Sequence, residues 1–472
     1  MIANLKPYSA YKDSGSNWLA QVPMHWEVRN LRTLIRPRTE RNRIDLPLLS
    51  VARERGVFVR SMTDASENHN IIPLDLTNYK VARQGSLVIN KMKAWQGSMG
   101  IAPCDGIVSP AYYVFDFDMA DKKFGQALLR SKPYVAHFGQ ASDGVRVGQW
   151  DLTIAAMRQI PVLVPLPDEQ AAIVKFLDWA NARLERAIRA KRRVIALLTE
   201  QKQAVIHRAV TRGLDPNALL KPSGIPWLGD IPAHWEVRPL KAVCKIQSGT
   251  TLGKDYGAAQ THEFPYLRVA NVQAGYVKLS VVKKVSVSAS EAKRRTLENG
   301  DVLMTEGGDL DKLGRGCVWE AQISPCLHQN HVFAVRPDKL KLDPHFLSAL
   351  MGSPYARAYF QTTAKQTTNL AATNKTKIGQ LSVLLPLLKQ QREILVSLAN
   401  ETKPVDTAVS RLKREIELLN EYRTRLVADI VTGKLDVREA AARLPQDEVE
   451  TALEPEALAP DDETDDEVEL EE

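Results

Sequence analysis

The sequence predicts an α+β protein in which two β-rich globular domains are joined by two long helices. Three observations lead to this prediction: a tryptophan-containing segment occurs twice, a long amphipathic segment follows each copy, and the regions between them are rich in β-strand patterns. A length of 472 residues is too great for one ordinary core and indicates roughly two to three domains. The chain is therefore expected to contain an internal repeat.

The first repeated segment is a short box with two tryptophans. It reads WLAQVPMHWEVRNL from Trp18 to Leu31 and returns as WLGDIPAHWEVRPL from Trp227 to Leu240. Because the Pro-x-His-Trp-Glu pattern occurs twice, His25 and His234 are expected to form structural hydrogen bonds and not a catalytic site. Packing anchors are predicted at Trp18, Trp26, Trp227 and Trp235.

The second repeated segment predicts the long helices. LVPLPDEQAAIV from Leu163 returns as LLPLLKQQREIL from Leu384, and the match continues without a gap to VTRGLD and VTGKLD. Apolar residues follow at alternating spacings of four and three, which is the pattern of a coiled-coil seam. The predicted seam consists of Leu184, Ile188, Ile195, Leu198 and Val205 in the first copy and Val409, Leu412, Ile416, Leu419 and Leu426 in the second.

Three residues interrupt this helical pattern. Lys191 and Lys202 lie in the first seam, where they either set the register of the helix pair or extend their side chains to its edge, and the second interpretation is favoured. Pro404 lies inside the second pattern, so that helix is expected to kink or to begin afresh near Val405.

The repeats divide the chain into five predicted parts. These are the first box with its β-rich domain (1–162), the first long helix (163–215), the second box with its β-rich domain (216–383), the second long helix (384–436) and an acidic tail (437–472). The tail is expected to be disordered, because its like charges repel and it has few apolar residues.

The charge distribution indicates a polyanionic partner. Residues 447–472 hold fourteen acidic and no basic side chains, whereas the rest of the chain holds 63 basic and 42 acidic side chains, a net charge of +21. Lys and Arg side chains that contact phosphates release counterions, which drives association with nucleic acid. A solvated basic surface without such a role is the alternative.

Polar loops between the predicted strands carry the candidate DNA-binding residues. Arg and Lys can pair with guanine, Asn and Gln can pair with adenine, and glycine allows close backbone approach. The candidates are Lys91, Lys93, Trp95, Gln96 and Arg146 in the first domain and Lys254, Arg268, Asn271, Lys312, Arg315, Lys365 and Asn369 in the second.

No catalytic or metal site is predicted from the sequence. A GxxxxGK[ST] phosphate loop, the Asp/Asn-Pro-Pro-aromatic motif of amino-methyltransferases, HExxH and CxxC do not occur. The sequence also has no run of eighteen apolar residues, and its start lacks a targeting pattern. We therefore expect a non-catalytic, cytoplasmic protein without a membrane span.

The combination of these segments resembles a known family. The stretch WLGDIPAHWEVRPLK, the twofold order of box, variable region and long helix, and the endings VTRGLD and VTGKLD resemble the specificity subunit of type I restriction-modification enzymes. The stretches YKVARQGSLVINKMKAWQGSMGIA, and PYLRVANVQ with GDVLM and LGRG, resemble the target-recognition domains of that family.

This resemblance implies a DNA reader that is part of an adenine-N6 methyltransferase and restriction endonuclease complex. Two different target-recognition domains would each contact one half of a bipartite, asymmetric site in double-stranded DNA, and the helices would pack antiparallel in a pseudo-twofold arrangement. The implied partners are two methyltransferase subunits, docked on the helices, and two translocase-nuclease subunits. No cofactor would bind this chain directly, since S-adenosylmethionine, ATP and Mg belong to the partner subunits.

Two other functions remain as alternatives. One is a coiled-coil scaffold whose β-rich domains bind protein or bind nucleic acid without sequence preference. The other, a self-sufficient nuclease or methyltransferase, is disfavoured by the missing motifs.

Overall fold

The chain folds into two compact units. The structure is a computed structural model that describes residues 5–61, 72–73, 75–146, 149–253, 256–257, 260–308, 313–314, 316–366 and 371–445. Unit 1 comprises Met1–Lys191 with Arg414–Glu472, and unit 2 comprises Arg192–Lys413. This division differs from the five consecutive parts predicted from the sequence, because each long helix supplies residues to the cores of both units.

Unit 1 is built on a four-stranded antiparallel sheet. The strands of unit 1 are β1 (Tyr11–Asp13), β2 (Gln21–Pro23), β3 (Glu27–Asn30), β4 (Ile35–Pro37), β5 (Leu49–Ala52), β6 (Gly56–Val59), β7 (Lys80–Ala82), β8 (Leu87–Asn90), β9 (Met99–Ile101), β10 (Gly106–Val108), β11 (Tyr112–Phe117), β12 (Ser142–Arg146), β13 (Gln149–Leu152) and β14 (Pro161–Val164). Its main sheet has the order β4-β11-β8-β9, and β3 pairs with β14 in a separate ladder. The region between the first box and the first long helix thus contains strands, as its β-strand patterns predict.

Helices cover this sheet and complete its core. The first helices of the chain are α1 (Lys122–Leu129), α2 (Lys132–Gln140), α3 (Ile154–Arg158) and α4 (Pro167–Arg212). Asp121 caps α1 by accepting hydrogen bonds from the backbone N–H groups of Lys123 and Phe124. The core of unit 1 includes Phe124 of α1 and Phe176 of α4, which join Trp26 of the first box.

Unit 2 contains the second box and the second variable region. Its strands are β15 (Leu220–Pro222), β16 (Asp230–Pro232), β17 (Glu236–Pro239), β18 (Cys244–Ser248), β19 (Thr261–Leu267), β20 (Lys283–Ser288), β21 (Val302–Thr305), β22 (Gly307–Gly308), β23 (Gly316–Val318), β24 (Leu327–His328), β25 (Val332–Pro337), β26 (Lys365–Gln366), β27 (Ala371–Ala372) and β28 (Ser382–Leu385). The remaining helices are α5 (Ala289–Arg295), α6 (Pro344–Met351), α7 (Pro354–Thr363), α8 (Lys375–Gln380), α9 (Leu388–Val431) and α10 (Arg438–Ala442).

The two units share one topology although their variable regions differ in sequence. The main sheet of unit 2 has the order β18-β25-β21-β23, which matches that of unit 1 strand for strand, and β17 pairs with β28 as β3 pairs with β14. A buried contact is also repeated: the Tyr134 hydroxyl donates to the Pro161 carbonyl at 3.0 Å, and the Tyr355 hydroxyl donates to the Ser382 carbonyl at 2.6 Å. Unit 2 adds the three-stranded sheet β20-β19-β24. The predicted α+β class and internal repeat are confirmed.

In unit 1 the first part of α4 pairs antiparallel with the last part of α9. Leu184, Ile188 and Leu426 of the predicted seam are buried, whereas Ile416 and Leu419 are half-buried. Arg423 donates to Glu185, and the Lys191 Nζ lies 2.5 Å from the Glu415 Oε2. Because residue numbers rise along one helix and fall along the other in these pairs, the helices run antiparallel.

In unit 2 the second part of α4 pairs with the first part of α9 in the same way. Lys202 Nζ lies 2.5 Å from the Asp406 Oδ1. The predicted seam residues of this unit are half-buried, namely Ile195, Leu198, Val205, Val409 and Leu412. The coiled coil is therefore confirmed. Lys191 and Lys202 extend to its edge, as favoured, where each ammonium group is partly exposed and binds a carboxylate of the other helix.

Of the two expectations for Pro404, a fresh helix start near Val405 was wrong, and a kink stays a prediction. The helix α9 continues through this residue without a second start. Proline removes one backbone N–H donor, but hydroxyl groups on either side bond back to the helix. Thr402 Oγ1 donates to the Leu398 carbonyl and Thr407 Oγ1 to the Lys403 carbonyl, both within one turn of Pro404.

Three of the four predicted tryptophan anchors pack as expected. Trp26 and Trp235 are fully buried, and Trp18 stacks on His137 with ring centroids 4.4 Å apart. Trp227 is 49% exposed, so its prediction as an anchor was wrong. The alignment that places Tyr355 opposite Tyr134 places Ala358 opposite His137, and alanine has no ring on which Trp227 could stack.

The predicted start of the acidic tail is also corrected. Residues 437–445 are folded, and Val437 and Ala441 of the α10 segment are buried in the core of unit 1. The prediction of disorder for the rest of the tail concerns residues 446–472, which lie outside the described part of the chain. Among the described residues, no helix has the length and apolar character needed to cross a membrane.

Shortening a seam side chain tests the helix pairing in unit 1. Ile188 is 1% exposed, whereas Leu197 on the same helix is 56% exposed. Ile188→Ala is expected to lower the free energy of unfolding by about 2 to 5 kcal/mol, because it removes buried methyl groups and leaves a cavity. Leu197→Ala should change it by less than about 0.5 kcal/mol. Urea unfolding followed by circular dichroism measures both, and equal losses would contradict the assigned seam.

His328 is expected to make the stability of unit 2 depend on pH. Its ring is buried, its Nδ1 lies 2.7 Å from the Val332 carbonyl oxygen, and burial lowers its pKa to about 4. In the unfolded chain the pKa returns to about 6.5, so between these values only the unfolded chain takes up the proton. Stability is therefore expected to fall as the pH drops below about 6.5, by about 2 kcal/mol at pH 5.

This contribution can be isolated with two histidine variants. Urea unfolding at pH 7.5 and pH 5 should show a smaller pH-dependent loss for His328→Asn than for the unmodified protein. The exposed His345 serves as the control, and His345→Asn should keep the full loss. An unchanged pH dependence in His328→Asn would exclude the assignment to this ring.

Candidate nucleic-acid interface

In unit 1 the predicted DNA-binding residues gather on one surface. A 3-10 helix, Lys91–Gln96, follows β8, and the side chain of Asn90 caps it by accepting from the Met92 N–H. The hairpin β12–β13 packs against this helix through two contacts. Lys91 Nζ lies 2.9 Å from Asp151 Oδ2, and the rings of Trp95 and Trp150 meet with centroids 4.9 Å apart. We call residues 91–96, 142–146 and 149–152 the first loop–hairpin surface.

The side chains of this surface differ in how free they are to bind DNA. Lys93 is exposed, and Trp95 and Gln96 are half-buried. Lys91 is engaged with Asp151, whose hydrogen bond raises the pKa of the ammonium group and keeps it charged. The backbone of Arg146 lies in β12, but its side chain is outside the described part of the chain.

Unit 2 has an equivalent surface at the same place in its topology. Strand β22 follows β21 as the 3-10 helix follows β8, and it pairs with β27, which in turn pairs with β26. We call residues 306–308, 365–366 and 371–372 the second loop–hairpin surface. Lys365 is exposed here, and the Glu306 carboxylate lies 2.6 Å from His331 Nδ1.

Several predicted residues of unit 2 lie outside the described part of the chain. These are Lys254, Lys312, Arg315 and Asn369. In the sequence, Lys312 and Arg315 fall between β22 and β23, and Asn369 falls between β26 and β27.

Arg268 and Asn271 do not belong to the second loop–hairpin surface. A short 3-10 helix, Val269–Asn271, follows β19; Arg268 is its N-cap and Asn271 its last residue. Asn271 is 3% exposed; its amide donates to the carbonyls of Lys278 and Val281, and its oxygen accepts from the Arg268 N–H. The amide is therefore already used by the backbone, and we correct its assignment from a DNA-binding to a structural residue. Arg268 is half-buried.

One member of the first loop–hairpin surface was not predicted from the sequence. Trp150 is half-buried and packs on Trp95, yet the alternation in QWDL was the only local signal for its strand. The long separation between the two tryptophans explains why the pair could not be recognised. Among the described residues, no cluster of His, Cys, Asp or Glu side chains could hold a metal ion.

Comparison with known proteins agrees with this architecture. Residues 232–418 match the family model of the type I restriction modification DNA specificity domain. The chain is 24% identical over 335 residues to the type I restriction enzyme EcoKI specificity subunit of Escherichia coli K12, which covers 70% of this chain and 68% of that protein. The chain is therefore similar to the specificity subunits of type I restriction-modification systems.

A second relative and a solved structure extend this comparison. This chain is 24% identical over 207 residues to the putative type I restriction enzyme MjaX specificity subunit of Methanocaldococcus jannaschii, across 43% of this chain and 47% of that relative. The matched segment thus spans about half the length of that relative. A chain from a structural study of type I R-M complex assembly and conformational transition shares the fold, with a TM-score of 0.57 and 18% identity over 88% of this chain and 99% of that chain.

The first loop–hairpin surface can be tested through its salt dependence. Each lysine that contacts a phosphate adds about one to the slope of log affinity against log salt. Lys93→Ala is therefore expected to lower this slope by about 1 and to weaken binding to all duplex sequences alike. Fluorescence anisotropy with labelled duplex DNA at several salt concentrations measures the effect.

Lys123 provides the matched control for this measurement. It lies on α1, its side chain is 73% exposed, and its removal changes the net charge by the same amount. Lys123→Ala should leave the slope unchanged. A similar reduction in both variants would mean that only the total charge of unit 1 matters.

Proposed function

We propose that this chain is a specificity subunit, the non-catalytic DNA reader of a type I restriction-modification complex. Unit 1 reads one half of a bipartite, asymmetric site in double-stranded DNA, and unit 2 reads the other half. The observation that carries this proposal is that two units of one topology present different residues at equivalent loop–hairpin surfaces.

The chemistry of these surfaces supports sequence reading in two different half-sites. In unit 1 the surface offers Lys93 for phosphate contact and Gln96 for the edge of adenine. In unit 2 the corresponding residues begin with Glu306 and include the exposed Lys365. Since different side chains pair with different base edges, the two half-sites are expected to differ in sequence.

The long helices dock two methyltransferase subunits in this proposal. Leu197 and Leu418 occupy equivalent positions of the two repeated helical segments and are 56% and 48% exposed. An exposed apolar side chain in the same place of each repeat suits two copies of one partner. Two translocase-nuclease subunits complete the complex, with S-adenosylmethionine on the methyltransferase subunits and ATP with Mg on the translocase-nuclease subunits.

Methylation mapping tests this function directly. The chain is expressed together with its cognate methyltransferase subunit in a host without DNA methylation, and modified adenines are mapped across the genome. A split, asymmetric motif should appear only when both proteins are present. Gln96→Ala should relax one position in one half of that motif and leave the other half unchanged, because it removes a base contact worth about 1 to 3 kcal/mol.

The controls separate a reader from a scaffold. Each protein expressed alone should give no motif, and the methyltransferase subunit must be active with another specificity subunit. If a complex forms and no motif appears, and the chain binds DNA without sequence preference in footprinting, the chain is a coiled-coil scaffold. Changes in both half-sites on Gln96→Ala would argue against the assignment of one half-site to each unit.

A further inference from the structure

A tyrosine fills a pocket beside the first box in unit 1. The Tyr8 ring is buried, with its centroid 5.8 Å from that of Trp26 and 5.7 Å from that of His25. Its hydroxyl donates to the Glu169 Oε1 at 2.7 Å, and the other carboxylate oxygen lies 2.7 Å from His25 Nε2. Both the ring and the hydroxyl of Tyr8 are therefore satisfied.

Unit 2 has an open cavity at the equivalent place. The cavity has a volume of about 140 Å³, and its lining includes Pro232, His234, Trp235, Gln390 and Ile394. In the alignment of the two boxes and the two helical segments, the equivalent residues of unit 1 are Pro23, His25, Trp26, Glu169 and Ile173. Four of these five residues are thus identical in the two units, and Gln390 differs from Glu169.

The residue that fills the pocket is not retained. When the alignment of the two boxes is extended toward the N-terminus, Asn217 stands opposite Tyr8. Asn217 is exposed and is not part of the cavity lining. A cavity of about 150 Å³ is large enough to hold a benzene ring. The space in unit 2 therefore matches the aromatic ring that occupies its counterpart.

Polar groups at this cavity also match a phenol. Gln390 takes the place of Glu169. Its Nε2 and Oε1 lie 2.9 and 3.2 Å from His234 Nε2, and the Oε1 also accepts a hydrogen bond from the Leu387 N–H. An amide oxygen is a weaker acceptor than a carboxylate, because hydrogen bonds to charged groups are about twice as strong as neutral ones. A phenol hydroxyl would consequently be held less tightly in unit 2 than Tyr8 is held in unit 1.

We infer that the cavity of unit 2 is a binding site for a tyrosine side chain presented by a polypeptide partner. The ring packs on Trp235, and the hydroxyl donates to Gln390 Oε1. The site goes beyond the proposed DNA-reading function, because it is formed by the box, the start of α9 and residues 212–215 and 218 at and after the end of α4, and uses no residue of either loop–hairpin surface. The neutral acceptor makes the contact reversible, whereas Tyr8 forms part of the fold.

A short peptide is the probe for this site. Residues 5–10 of this chain, LKPYSA, present a tyrosine as it is presented in unit 1. Saturation-transfer NMR with the full chain is expected to show saturation of the tyrosine ring protons. The same peptide with alanine in place of tyrosine should show none above background. Gln390→Glu restores the acceptor of unit 1 and is expected to tighten binding about five-fold.

Two tryptophan variants locate the binding site. Ala218 lines the cavity, so Ala218→Trp should fill it and abolish peptide binding. Ala270 is exposed in the same unit and away from the cavity lining, so Ala270→Trp should bind the peptide normally. Circular dichroism checks that both variants fold. If Ala218→Trp does not fold, peptide binding by Gln390→Glu decides whether the cavity is the binding site.

Three results would overturn the inference. The first is the absence of saturation with both the unmodified chain and Gln390→Glu. The second is equal saturation of the tyrosine and alanine peptides, and the third is unchanged binding by a folded Ala218→Trp variant.

Discussion

Each unit depends on the pairing of one part of α4 with one part of α9. In unit 1, α4 carries the buried Ile188 and also supplies Phe176 to the core around Trp26. In the same way, α9 carries the buried Leu426 and supplies Ile430 to that core. Segments more than two hundred residues apart in the sequence must therefore meet before the sheet can be covered. The interhelical ion pairs are partly exposed and each contributes little energy, so the apolar seam holds the helices while the charges select their antiparallel register.

Most of this fold could be predicted from the sequence, because the duplicated segments can be recognised in it. The repeated box and the spacing of the seam residues identify the internal repeat and the two long helices without knowledge of any contact. Predictions fail where the outcome depends on a partner distant in the chain. Trp18 and Trp227 occupy the same position of the repeated box, but Trp18 stacks on His137, whereas the equivalent position in unit 2 is Ala358 and Trp227 is exposed.

The candidate interface was predictable only in part for the same reason. Residue type and loop context identified the segment that contains Lys93 and Gln96, and the structure brings it together with the hairpin. The role of Trp150 depends on a contact with Trp95 that no local pattern encodes. The loop context of Asn271 also gave no indication that three backbone hydrogen bonds already engage its amide.

The attachment of the first loop–hairpin surface explains how two units of one topology can carry different surfaces. In unit 1 the 3-10 helix Lys91–Gln96 is held by the Asn90 cap and ends at Gly97, whose φ of +86° favours glycine. A Cβ added to Gly97 would also lie 3.0 Å from the Val135 side chain. These contacts use residues at the ends of the helix, so exposed positions such as Lys93 can change at small cost to stability. Divergence of the loops is therefore compatible with retention of the shared topology, and the two units can differ in what they bind while their cores remain alike.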